Sequence, residues 1–314
     1  MKRDFLTLND LTRTEIRTLL KSAARWKSKR AAGKIGGPLQ GLTVGMIFNK
    51  PSTRTRVSFE VGIMDLSGRV VYMQGGETQL SRDEPASHTA RVLSRYLDAL
   101  IIRTFDHAEV EELARHAAIP VINALTDSYH PCQVLSDLFT VQERRGHLDC
   151  LKVAWVGDGN NVAHSWINAA AIMGFELALA VPEGYDPDDA VMKRALLQAD
   201  MPITVTRDPI EAVTGAEVVN TDVWVSMGQE KEVEARRDVF RPYQVNAELM
   251  AHAAPGALVM HCLPAHPGEE ITEDVLESEQ SVVFDQAENR LHAQKALLEF
   301  LILGLAEKDR AGSN

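Results

Sequence analysis

The sequence predicts an α/β fold of two doubly wound parallel-sheet domains, with the active site in the cleft between them. Three observations carry this expectation. Short apolar runs alternate with helix-period stretches along the whole chain, the pattern of repeated βαβ units. At 314 residues the chain exceeds one ordinary domain and is long enough for two with real cores. Polar clusters recur at the carboxyl ends of the apolar runs, where open parallel sheets bind ligands.

In chain order, an amphipathic helix is expected over Thr12 to Lys29, with Leu19, Leu20, Ala23 and Trp26 on one face and Lys/Arg on the other. Four strands follow: Thr43 to Phe48, Val70 to Met73, Ala99 to Arg103, and Pro120 to Ala124. After the basic turn Arg144-Arg145-Gly146 a second series runs Lys152 to Val156, Leu177 to Val181, Ile203 to Thr206, Val218 to Thr221, Leu258 to Cys262, and Val282 to Asp285. The domains are therefore 1–140 and 150–287, joined near residues 135 to 150. A last helix from Asn289 to Leu305 lies within 288–314, the segment expected to complete the first domain.

Composition narrows the function classes. Hydrophobic content of 45% and charged content of 25% are globular values, which exclude a disordered chain. A net charge of -11 argues against nucleic acid or an anionic membrane as partner, because the average surface repels both. Met1-Lys2-Arg3-Asp4-Phe5 lacks the apolar core of a secretion signal, and Cys132, Cys150 and Cys262 are too few for a disulfide framework, so a cytoplasmic protein is expected.

The most informative segment is Pro51-Ser52-Thr53-Arg54-Thr55-Arg56, between a strand and an apolar-periodic helix. Free N–H groups and the positive macrodipole end favour an anion there, and two hydroxyls and two guanidiniums sit in the same turn. The plain alternative is an ordinary N-cap with a solvated basic turn. His130-Pro131-Cys132-Gln133 opens another helix; His130 and Gln133 can face the same ligand as Arg103, whereas zinc ligation by His130 and Cys132 lacks a second ligand pair. Gly157-Asp158-Gly159-Asn160-Asn161 superficially resembles a dinucleotide fingerprint, with Glu183 near the ribose position, but the third glycine is absent. A nicotinamide-dependent dehydrogenase is the reading that would follow from it, and a simple strand-to-helix turn is the plain one.

Asp222 to Gly228 places an acid and a hydroxyl just beyond a strand, suited to an ammonium, and the charged run Gln229 to Arg237 reads as a solvated face. In His261-Cys262-Leu263-Pro264 adjacent strand residues point to opposite faces, so His261 and Cys262 do not pair as base and nucleophile merely by adjacency. Cys262 can still line a site and meet a substrate amine, and a cis bond before Pro264 is open.

In order and spacing, the Ser52–Arg56, His130–Gln133, Asp158–Asn161, Asp222–Gly228 and His261–Pro264 segments closely resemble the ornithine carbamoyltransferases over nearly the whole chain. The Ser-Thr-Arg-Thr and His-Pro elements are general to carbamoyltransferases, and the other three are those of the ornithine branch. The resemblance implies that Ser52, Thr53, Arg54, Thr55, Arg103, His130, Gln133, Cys262, Leu263 and Arg290 bind carbamoyl phosphate. It implies that Gln79 reaches a neighbouring subunit's site in a homotrimer or multiple of trimers, and that Asn161, Asp222, Ser226 and Met227 hold L-ornithine. Thr55, Arg103, His130 and Cys262 are its implied catalytic residues.

The implied reaction is attack of the neutral δ-amine on carbamoyl phosphate, giving L-citrulline and phosphate, with no metal and no cofactor. Its alternative is a carbamoyltransferase for another amine, such as putrescine or an acylated ornithine; a non-catalytic sensor of a phosphorylated metabolite is a third reading. The chain departs from its relatives at His88 and over Ser81 to Pro85, around the implied intersubunit contact.

Overall fold

The computed structural model describes residues 2–74, 84–225 and 233–304. It divides into two units, Met1–Phe139 with Glu288–Asn314, and Thr140–Ala287.

The first unit opens with α1 (Arg13–Ala31), β1 (Thr43–Phe48), α2 (Thr53–Asp65), β2 (Arg69–Gln74), α3 (Ala86–Leu93), β3 (Ala99–Arg103), α4 (His107–His116) and β4 (Val121–Leu125). Thr12 caps α1 in a reciprocal box with Glu15, and the helix buries Ile16, Leu19, Leu20, Ala23 and Trp26. The four strands lie in the order β2-β1-β3-β4, all parallel. Strands β1 and β3 are buried along nearly their whole length, which is why they read as continuous apolar runs. The order reverses between β1 and β3, so the crevice beyond their carboxyl ends is the unit's natural ligand position.

The helix α5 (Pro131–Arg145) runs through the unit boundary. The second unit continues with β5 (Lys152–Val156), α6 (Asn161–Met173), β6 (Glu176–Ala180), α7 (Asp189–Leu196), β7 (Ile203–Thr206), α8 (Pro209–Val213), β8 (Val218–Thr221), α9 (Val233–Phe240), α10 (Ala247–Met250), β9 (Leu258–His261) and α11 (Glu273–Leu276). Its parallel sheet has the order β7-β6-β5-β8-β9, with the reversal between β5 and β8. Among the described residues, no helix is long and apolar enough to cross a membrane.

Two expectations are corrected. Val282 to Asp285 is not a strand: Val283 begins α12 (Val283–Leu303), the last helix, which starts well before the expected Asn289. Only Ser281 bridges to β9, and the Val282 N–H donates to the Val259 carbonyl at 3.0 Å before the chain turns helical. Phe284 is 67% exposed, so the apolar run was never a buried strand. The charged run is not wholly solvated either, because Arg236 is buried.

Candidate functional site

In the first unit Ser52 is the N-cap of α2, its hydroxyl accepting the Thr55 N–H at 3.2 Å. Thr53 and Arg54 therefore occupy the first turn, whose N–H groups have no intrahelical partner. Thr55 is buried and is where two guanidiniums meet: Arg290 of α12 donates to its Oγ1 at 2.7 Å and Arg103, ending β3, at 3.4 Å. Both are also buried. His130, just before α5, is buried close to them: burial, then Arg290 and Arg103, push its pKa well below the imidazole range, so the ring is neutral at neutral pH.

Gln133 donates from Nε2 to Asp137 at 2.9 Å, while its buried Oε1 has no hydrogen-bond partner among the described residues; the same holds for Arg54 Nε. Arg56, in the same cationic turn, points elsewhere: it pairs with Glu60 at 2.8 Å and lies 3.6 Å over the Tyr72 ring. Cys132 is no metal ligand in waiting. Burial raises its thiol to about 12 and its Sγ donates to the Asn123 carbonyl. Lys50 was not foreseen: it is buried just before this turn, ion-paired with Asp127 and 4.3 Å over the Phe105 ring.

In the second unit the reversal between β5 and β8 places Gly157–Asn161 and Asp222 side by side. Asp222 is buried; its Oδ1 accepts the Val223 N–H at 2.8 Å and the Cys262 thiol at 3.0 Å, and its Oδ2 accepts from Asn160 at 2.9 Å. Asn160 also caps α6, accepting from Val162 and Ala163. Asn160 is thus the residue that braces Asp222, and the neighbouring Asn161 occupies the first position of α6.

Asp158 pairs with Arg236, which donates to the Trp224 carbonyl and lies 4.6 Å over the Tyr185 ring. Burial raises the Asp158 carboxyl and Arg236 opposes that shift. His261 is held at both ring nitrogens: its Nδ1 accepts the Leu263 N–H at 2.8 Å and its Nε2 meets Glu270 at 3.0 Å. Leu263 has φ of +59° and its bond to Pro264 is cis. Gln79, Ser226 and Met227 lie outside the described residues.

The dinucleotide reading fails on geometry. A Cβ on Gly159 would meet Pro187 N at 2.4 Å, Asp186 C at 2.6 Å and Tyr185 O at 2.6 Å. The space that a pyrophosphate needs beside a fingerprint glycine is filled by the chain's own backbone.

Two parallel-sheet units, one with buried guanidiniums gathered at a helix start and the other with a buried carboxylate beyond its strand ends, define an α/β protein with polar clusters where parallel sheets bind small ligands. Sequence comparison makes this specific. Residues 3–143 match the family model for the aspartate/ornithine carbamoyltransferase carbamoyl-P binding domain, and residues 149–301 that for the Asp/Orn binding domain. The chain belongs to the aspartate/ornithine carbamoyltransferase family. An ornithine carbamoyltransferase of Syntrophus aciditrophicus (strain SB) is 55% identical over 302 residues, 96% of this chain and 100% of that protein. The structure of ornithine carbamoyltransferase from Pyrococcus furiosus matches with TM-score 0.93 and 50% identity, covering 97% of this chain and 98% of that one. Ornithine transcarbamoylase from Giardia lamblia matches with TM-score 0.88 and 31% identity, covering 98% and 100%.

Proposed function

We propose that this chain transfers the carbamoyl group of carbamoyl phosphate to the δ-amine of L-ornithine, giving L-citrulline and phosphate. The observation that carries the reading is the meeting of Arg103 and Arg290 on Thr55, beside the start of α2, within the region that matches the carbamoyl-P binding model. A doubly charged acyl phosphate is the ligand that such a cluster of buried cations and first-turn N–H groups suits.

In the proposed reaction the amine nitrogen attacks the carbonyl carbon, the C–O bond to phosphate breaks, and the amine proton passes to a phosphate oxygen. Ser52, Thr53, Arg54 and Arg290 hold the phosphate; Gln133 orients the carbamoyl group, and Leu263 lies near it. Thr55, Arg103 and His130 donate to the oxyanion, each such donor being worth ~3 kcal/mol. A neutral His130 still carries one N–H to donate, and the guanidiniums that add to burial in keeping it neutral are the same ones that favour the developing negative charge. Asp222, steadied by Asn160, receives the α-ammonium; Asn161, Ser226 and Met227 complete the amino-acid contacts, and Cys262 faces the δ-amine. The chemistry calls for neither metal nor cofactor. The edge strand β2 and the exposed Val57, Met64 and Val71 support association between chains; the trimer in which Gln79 serves a neighbouring site is the form the resemblance implies, and the reading places the enzyme in the cytoplasm.

A colorimetric citrulline assay with carbamoyl phosphate and a panel of amines tests this. Ornithine is expected to exceed putrescine and acylated ornithine by orders of magnitude in kcat/KM, because acylated ornithine lacks the free α-ammonium that Asp222 would pair with and putrescine lacks the α-carboxylate that the other amino-acid contacts would hold. No phosphate release beyond spontaneous breakdown would overturn the activity, and a preference for putrescine would overturn the substrate.

A further inference from the structure

We propose a second, non-catalytic ligand site: a divalent transition-metal site formed by His266, Glu269 and Glu270, outside the carbamoyl-transfer residues and independent of that reading. One ligating atom from each of the three lies within 4.8 Å of the other two. Carboxylates on a surface turn would carry no such meaning, and Glu270 is what sets this cluster apart. Its side chain is completely buried. Its Oε1 is committed twice, to His261 Nε2 at 3.0 Å and to the His266 N–H at 2.6 Å. Its Oε2, equally buried, has no hydrogen-bond partner among the described residues.

A bare carboxylate oxygen in the interior is costly unless a cation meets it. His261 does not hydrogen-bond that oxygen: its Nδ1 accepts the Leu263 N–H at 2.8 Å and its Nε2 meets Oε1. The group facing Oε2 is His266 Nδ1 at 3.8 Å, beyond hydrogen-bond reach and with its ring half exposed. That nitrogen and that oxygen therefore face one another across a gap with the Glu269 carboxylate beside it.

A cation held ~2.0–2.2 Å from each of the three atoms fills the gap, after a small rotation of the exposed His266 ring. One imidazole and two carboxylates suit Zn²⁺ and similar first-row ions, and the two negative charges match the ion's two positive ones. Glu269 now pairs with Arg237, which also bonds to one carboxylate oxygen; the other is available to a metal. The Asp222–His261–Cys262 group is a separate cluster of similar dimensions and belongs to the candidate amine site. Through Glu270 and His261 an ion at the new site would bear on the backbone of Leu263, so occupancy has a route to the substrate loop.

The test titrates the full-length protein with Zn²⁺ against a fluorescent chelator, comparing wild type with His266→Ala, Glu269→Gln and Cys262→Ser. His266 and Glu269 are at the surface, so their replacement leaves the fold standing, which circular dichroism checks. Wild type and Cys262→Ser are expected to share a zinc site that His266→Ala and Glu269→Gln each weaken at least ~10-fold. The proposal is overturned if wild type competes no zinc away from the chelator, if His266→Ala binds as wild type does, or if Cys262→Ser abolishes all binding.

Discussion

Arg54 and Asp222 stand for the two halves of the proposed chemistry, and single substitutions separate them. Arg54 lies in the first turn of α2 beside the Ser52 cap, and Asp222 is held by Asn160 and Cys262. Arg54→Ala is expected to weaken carbamoyl phosphate binding ~100-fold, as loss of one charge-assisted contact of 2–3 kcal/mol does, and to leave ornithine affinity within a few-fold. Asp222→Ala should do the reverse. Isothermal titration of each substrate reads the difference, and unchanged carbamoyl phosphate affinity in Arg54→Ala would remove Arg54 from the phosphate pocket. Which residues face each other was legible only where a strand end announced it: Thr55, Arg103 and His130 follow strands in the sequence pattern. Asn160 and Arg236 were not legible in these roles, because their partners Asp222 and Asp158 are 62 and 78 residues away and no local periodicity encodes such a contact.

Strands buried on both faces read as nearly continuous apolar runs, so β1, β3 and β5 could be bounded from composition alone. The same rule misled at Val282 to Asp285, where two buried valines and an exposed Phe284 begin a helix rather than a strand; a short apolar run does not carry its own period. The turn after β5 was ambiguous for a related reason. Gly-Asp-Gly is shared by nucleotide folds and ordinary turns, and only the approach of residues 185–187 to Gly159 tells them apart. That contact is testable. The three atoms a Cβ would strike are backbone, which cannot swing aside, and the Gly159 N–H is bonded to the Tyr185 carbonyl at 2.9 Å. Gly159→Ala should therefore cost ~1–3 kcal/mol in urea unfolding and raise the KM for ornithine by displacing Asn160. Wild-type stability in that variant would mean the loop yields freely and the turn is open to a larger ligand.

Charge sets two properties of the molecule as a whole. Burial lowers the pKa of His130 well below 6.5, and that of His292 to about 4. As pH falls below 6.5 the unfolded chain takes up these protons before the folded one does, so stability should decline from there toward pH 4 and be flat above 6.5 as far as these groups are concerned. Urea midpoints measured across that range, with His292→Gln flattening the slope, check the sign. Activity should behave differently: His130 stays neutral above pH 6.5, so the rise of kcat/KM with pH follows the ornithine amine, whose free pKa is about 10. Assembly is the outcome expected of the apolar surface left exposed among the described residues. Among the described residues strand β2 pairs only with β1, and Val57, Met64 and Val71 in α2 and β2 are 50%, 58% and 43% exposed. An edge strand of this kind invites association unless something covers it. Light scattering should give a mass that is a multiple of three chains, and Met64→Glu with Val71→Glu should yield folded single chains. If Gln79 serves a neighbour's site, those single chains must lose most of their kcat while each still binds ornithine. Full activity in a monomer would detach Gln79 from catalysis and leave the assembly without a role in the chemistry.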